Sequence, residues 1–271
     1  MHYVQMKVEK ILFITQEITP FVPASPMGTA GQELLQTIQD KVKEIRTFTP
    51  LWGNINTRRN NLHEVIRLSG MNLIIDDTDH PLIIKVASLQ SARMQVYFIE
   101  NEDYFHNRLM ITDENGKEYS DNDERTIFFN LGVIEAVKKQ RWCPEIIHCC
   151  GWMSSLVPLY IRSAYKDEPS FRDSKIVISL FNDSFNEPFD EGFINKLLCK
   201  DMNRELLDGM AAPVTHIELA KLAIRNCDGV IINGDNVSPE LVEYAKAQGK
   251  AILPTEESKD NCYEFYNSLF E

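Results

Sequence analysis

The residues with chemical potential lie just beyond short apolar runs. Glu17 follows Ile11–Ile14 and opens a loop with three prolines, Pro20, Pro23 and Pro26, that ends in the small residues around Gly28. A carboxylate there faces whatever binds beyond a strand end, so burial without function is the weaker reading. His148 closes another apolar run and adjoins Cys149 and Cys150, then Trp152. No second Cys or His cluster stands at a recognised metal spacing, so no metal is expected. His148 has two readings, a ligand contact or a core histidine satisfied by backbone. Trp152 reads first as core and second as a stacking platform. Asp121 and Asn122 precede a helical pattern, and a capping role alone would explain the aspartate. Asn182 follows a third apolar run. Neither GxGxxG nor a P-loop occurs, which removes the common phosphate cradles, and no cofactor is expected.

These positions need elements to hold them. Seven runs rich in β-branched and apolar residues read as buried strands: 10–15, 45–50, 94–100, 145–150, 175–181, 229–234 and 251–254. Strands apolar on both faces belong in a sheet covered by helices on both sides. Helical patterns alternate with them, at 31–44, 123–140, 215–227 and 238–250. Thr215 and Glu218 have capping-box spacing, and Ser238, Pro239 and Gly249 punctuate the last helix. Residues 60–90 read instead as strand, turn, strand, with DDTDHP as the turn, a β-hairpin inserted at a sheet edge. The expected fold is α/β, a doubly wound and mainly parallel Rossmann-like sheet in one domain, 1–271.

Composition narrows the partners. The chain is 44% hydrophobic and 25% charged, as expected of a globular protein. Its 28 basic against 40 acidic side chains give a net charge of -12, which disfavours nucleic acid and anionic lipid. No apolar stretch approaches the roughly 20 residues of a membrane span, and the N-terminus lacks a signal peptide's apolar region. The expected location is the cytoplasm, where the six cysteines are small core residues rather than a disulfide frame. The acidic, aromatic stretch 183–193 reads as a solvated surface, with oligosaccharide contact as the second reading.

Four segments, in order, resemble bacterial glycogen synthases and plant starch synthases. They are ILFITQEITPFVPASPMG, YSDNDERTIFFNLGVIEAV, RWCPEIIHCCGWMSSLVPLYI, and KIVISLFNDSFNEPF with AKLAIRNCDGVIINGDNVSPELVEY. Matching residues include Glu17, Pro20, Phe21, Gly28, Asp121, Asn122, Arg125, Phe128, Trp142, Pro144, His148, Trp152 and Pro158. The resemblance implies one half of a GT-B fold, the acceptor-side N-terminal domain of a retaining glucosyltransferase. It implies saccharide contacts at Glu17, Gly28, Asp121, Asn122, His148, Trp152 and Asn182.

The departures lie where the family holds its sugar nucleotide. Pro23 replaces a lysine near the phosphates, Ser25 and Pro26 replace paired glycines, and Thr29 replaces an aspartate. A proline offers neither charge nor N–H. Gly151 replaces another aspartate, and Met153 replaces a histidine placed near the transferring glucose; a thioether cannot reproduce its hydrogen bond. Phe181 stands for the histidine before Asn182. The family's second domain, which clamps the diphosphate, falls outside the resemblance. The expectation is a pseudoenzyme with no catalytic residue of its own. It binds an α-glucan or other saccharide, or docks a protein partner or a second copy across its cleft face. One alternative is an active glucosyltransferase, using ADP- or UDP-glucose, completed by a second chain. Another is a structural or regulatory protein whose cleft is filled by Pro26, Met27, Met153 and Phe181.

Overall fold

A computed structural model describes residues 7–89, 94–198, 202–255 and 260–271. Seven strands, β1 (Lys10–Thr15), β2 (Glu44–Pro50), β6 (Met94–Glu100), β7 (Ile146–Cys150), β8 (Lys175–Leu180), β9 (Gly229–Ile232) and β10 (Ala251–Leu253), pair in parallel. Their spatial order is β10-β9-β8-β7-β1-β2-β6. The chain leaves β1 toward β2 and later builds outward from β7, so strand direction of travel reverses between β1 and β7. That point is where an open α/β sheet binds ligands.

The expected hairpin is present. β4 (Met71–Ile75) and β5 (Thr78–Leu89) are joined at Asp76 and Asp77, whose φ values of 47° and 60° fit a tight two-residue turn. β5 extends the sheet antiparallel to β6, and the short β3 (His63–Glu64) pairs with β5.

Helices cover both faces. α1 (Pro26–Ile38) starts earlier and stops sooner than its apolar spacing suggests. Ser25 accepts from Gly28 N at 2.9 Å and Pro26 takes the first position, a start signal that sits inside the loop. Residues 39–43 turn instead of continuing, with Val42 packed only at the edge of the core. α1 lies over the face carrying Phe13, with Gly31 allowing close approach. α7 (Cys262–Ser268) shares that face through Tyr266, which reaches His148. Right-handed crossovers place α2 (Asn122–Lys139), α3 (Val157–Arg162), α5 (His216–Asn226) and α6 (Pro239–Ala247) on the other. Thr215 caps α5 by accepting from Glu218 N at 3.3 Å. Gly249, with φ of 64°, ends α6. Among the described residues no helix is long and apolar enough to cross a membrane.

Two buried charged clusters brace α2. Lys196, at the end of α4 (Phe193–Lys196), lies 2.9 Å from Asp123 and 2.8 Å from Glu124. Arg125 is 0% exposed and gathers the backbone of 104–110 around itself.

Candidate functional site at the sheet edge

The crevice between the ends of β1 and β7 is occupied by Gln16. Its backbone N donates to Cys150 O at 3.2 Å, and its Oε1 accepts from Met153 N at 3.3 Å. Gln16 O accepts from Trp52 Nε1 at 2.6 Å. Gln16 is 2% exposed and Met153 is 0% exposed, so these two side chains plug the switch point. Gly151 permits this arrangement because its φ is 83° and an added Cβ would stand 2.5 Å from Gln16 Oε1. Gly151→Ala is expected to cost about 1–3 kcal/mol from the positive φ alone. Urea unfolding checks it, and an unchanged midpoint would contradict this placement of Gln16.

Glu17 stands one residue further, half-buried. Burial pushes its carboxyl up, opposed by a hydrogen bond from Ser25. The Ser25 oxygen also accepts from Gly28 N, so one hydroxyl ties Glu17 to the first turn of α1. Thr19 N donates to Gly28 O at 3.3 Å, and a Cβ on Gly28 would lie 3.1 Å from Thr19 Oγ1. Gly28 therefore closes the loop upon itself. Phe21, Val22 and Met27 anchor this loop in the core, while Pro23 and Ala24 remain exposed.

Facing this loop beyond β8 are the exposed Asn182 and the half-buried Asp183. Asp183 Oδ2 accepts from Trp152 N at 3.0 Å. Burial, opposed by backbone donors and reinforced by the charge of Glu17, pushes the Asp183 carboxyl up to about 6. Asp183 was legible in sequence only as part of an acidic stretch. The three phenylalanines of that stretch fold inward: Phe185 and Phe189 stack at 4.4 Å and Phe193 meets Phe189 at 4.8 Å. What reads as a solvated surface is thus a fixed aromatic arm with Glu187, Asp190 and Glu191 outside and Asp183 turned in. Trp152 packs into it, 5.0 Å from Phe185, as core.

The other expected contacts are engaged elsewhere. Asp121 receives Arg108 in a two-pronged pair at 2.7 and 2.6 Å and makes no side-chain cap. Asn122 is buried and accepts from Arg125 at 2.6 Å while donating to Ile111 O at 3.0 Å. Both residues fix the 104–119 loop, where the guanidinium forks need fixed acceptors. His148 is 0% exposed, with Nδ1 2.6 Å from Tyr266 Oη and Nε2 2.7 Å from Ser179 Oγ. Burial pushes it down to about 3, so it is a neutral core residue. Of the residues expected to form a site, the structure gathers Glu17, Gly28, Trp152 and Asn182 at the edge; Asp121, Asn122 and His148 serve the scaffold. Pro26 is exposed and Phe181 half-buried, so the plug consists of Gln16 and Met153 rather than the set expected from sequence.

The three edge segments, 16–28, 150–156 and 181–187, contain no Lys or Arg. Two carboxylates and an amide can accept and donate hydrogen bonds to neutral hydroxyls but would repel a diphosphate.

The family profile described as starch synthase catalytic domain matches residues 10–252. A glycogen synthase of Chlorobaculum parvum is 31% identical over 262 residues, covering 96% of this chain and 53% of that protein. A glycogen synthase of Pelodictyon phaeoclathratiforme is 36% identical over 174 residues, 64% of this chain and 36% of the relative. The chain thus spans about half the length of these relatives, or less. The catalytic domain of starch synthase IV from Arabidopsis thaliana, bound to ADP and acarbose, shares the fold with a TM-score of 0.72. That match covers 92% of this chain and 51% of the other, at 14% identity.

Proposed function

The chain belongs to the glycogen/starch synthase family, and from that premise we propose that its sheet edge is the acceptor side of a glucosyl-transfer cleft, holding a short α-glucan. One observation carries the proposal: Glu17, Asn182 and Asp183 converge on an edge whose segments contain no cation. Hydroxyl groups of a glucan donate well to carboxylates, and the amide of Asn182 supplies both donor and acceptor. The starch synthase IV structure carries acarbose, which supports a saccharide of this kind here.

The same edge is unsuited to the diphosphate of a sugar nucleotide. Retaining transfer requires positive charge on the leaving group, and Pro23 cannot supply it. Cations from outside this edge, in a second domain or chain, would complete catalysis with ADP- or UDP-glucose. Calorimetric titration with maltoheptaose tests the acceptor reading. Saturable binding is expected, weakened about tenfold or more in a Glu17→Gln, Asn182→Ala variant, a loss of about 1.4 kcal/mol. No saturable heat from folded protein would overturn it. Glucosyl transfer by the 271-residue chain alone would overturn the incomplete-site reading.

A second reading is favoured by the plug of Gln16 and Met153. A switch point filled by the chain's own side chains suits a regulatory protein that docks its partner over the edge. Absence of glucan binding together with a stable complex with a partner synthase chain would select it.

A further inference from the structure

The hairpin of β4 and β5 leaves one strand edge open. Among the described residues β4 pairs with β5 alone, over Met71–Ile75. Which backbone groups face outward follows from Pro81, which stands opposite Asn72 and has no N–H to donate. Asn72 and Pro81 therefore form a non-hydrogen-bonded pair, and the Pro81 carbonyl agrees, since it accepts at 2.9 Å from Nδ2 of Asn101, the residue that follows β6. Hydrogen-bonded and non-hydrogen-bonded pairs alternate along an antiparallel ladder. Asn72 and Ile74 thus turn their N–H and C=O groups away from β5, and both residues are exposed.

The other outer strands are protected by their length: β10 has three residues and β3 has two, one of them the charged Glu64, and short or charged edges resist pairing with another chain. β4 has five residues, MNLII, with neither charge nor proline. Two large apolar side chains stand exposed among the described residues, Ile66 at 82% and Ile74 at 67%, and both belong to this insertion. The strand is also its own complement. Antiparallel pairing of two copies about Leu73 sets Asn72 of each against Ile74 of the other, and each such pair exchanges both of its N–H···O bonds. Met71 of each copy then meets Ile75 of the other. Beyond that span the exposed Asp76 and Asp77 of one copy run past Gly70 toward the exposed Arg67 of the other, a contact of opposite charges repeated at both ends. The two acidic tips stay about 20 Å apart, at about 3.4 Å per residue, which exceeds the roughly 8 Å over which salt screens exposed charges.

We propose that a second copy of this chain covers β4 by antiparallel strand pairing, giving a two-fold dimer. The contact is small, so a dissociation constant of about 10–100 μM is expected rather than a nanomolar one. It is separated from the crevice between β1 and β7 by β2, β6 and β5, and does not depend on what binds there. Sedimentation velocity of the 271-residue chain from about 5 to about 500 μM tests it. Wild-type protein is expected to pass from monomer to dimer across that range. Ile74→Lys puts a charge on the edge and is expected to hold the protein monomeric throughout, with an unchanged circular dichroism spectrum because the side chain is exposed. Arg67→Glu sets like charges together at both ends and is expected to weaken association about tenfold, a difference that shrinks as salt is added. His63→Lys, on the edge strand β3, is expected to leave the dimer as it is. A wild type that stays monomeric, a dimer that survives Ile74→Lys or ignores Arg67→Glu, or an equal loss in His63→Lys would each overturn the proposal.

Discussion

Replacing Arg125 with methionine is expected to lower the unfolding free energy by about 3–5 kcal/mol, within the range for breaking buried charged networks. The guanidinium donates to Tyr104 O at 2.8 Å, Met110 O at 2.9 Å, Leu109 O at 2.7 Å and Asn122 Oδ1 at 2.6 Å. Three of the four acceptors are backbone carbonyls of one irregular loop, which has few other partners for them. Methionine keeps much of the apolar stem and removes all of these donors at once. Orphaned buried acceptors each cost about 1–3 kcal/mol, partly relieved as the loop loosens and admits water. The guanidinium also lies 4.7 Å from the Tyr119 ring centroid and 5.3 Å from that of Trp52. Burial, followed by the nearby charge of Arg108, pushes Arg125 down to about 9, so it remains charged at neutral pH. Arg125→Lys should recover only part of the loss, because an ammonium cannot span a planar fork of acceptors. Urea unfolding followed by circular dichroism measures both variants. A loss below about 1 kcal/mol for the methionine variant would show that the loop satisfies its carbonyls without Arg125.

This cluster also marks where reading the sequence succeeds and where it stops. Strand positions are legible because buried parallel strands need uninterrupted apolar runs, and 10–15 and 94–100 coincide with β1 and β6. The hairpin is legible because Asp76 and Asp77 mark a turn between two such runs. The extent of α1 is less so: its start depends on Ser25 and Pro26 inside a loop, and its apolar spacing outlasts the helix. Side-chain direction is least legible. Asp121 and Asn122 have residue types that suit a ligand, yet their partners are Arg108 and Arg125, and the choice is made by a loop of irregular backbone. Gln16 carries no sequence signal at all. Its role follows from Gly151, at the end of the neighbouring strand and 135 positions away, whose positive φ leaves room for it.

Lys196→Met is the other substitution with a large expected effect, about 3–5 kcal/mol at neutral pH. Glu124 would keep a donor, since Tyr104 Oη lies 2.9 Å from its Oε2. Asp123 would lose its main one: its side chain is 0% exposed, its Oδ2 meets Lys196, and its Oδ1 is buried without a partner among the described residues, which leaves only the weaker influence of the Glu124 backbone N–H. Burial already pushes the Asp123 carboxyl up, and Lys196 is the chief opposing influence. Removing the ammonium raises it further. A carboxyl whose folded-state value exceeds its unfolded value binds more protons when folded, so it costs stability above that range and the cost shrinks as pH falls. The deficit relative to wild type is therefore expected to be largest near pH 7 and to diminish toward about pH 4, the ordinary aspartate value. Asp123→Asn in the Lys196→Met background should restore stability at neutral pH, since it removes the uncompensated charge while keeping the shape. Urea titrations of the wild type, the single variant and the double variant across that range decide the matter. A deficit independent of pH, or no rescue by Asp123→Asn, would assign the loss to packing of the lysine stem instead of to the buried charge.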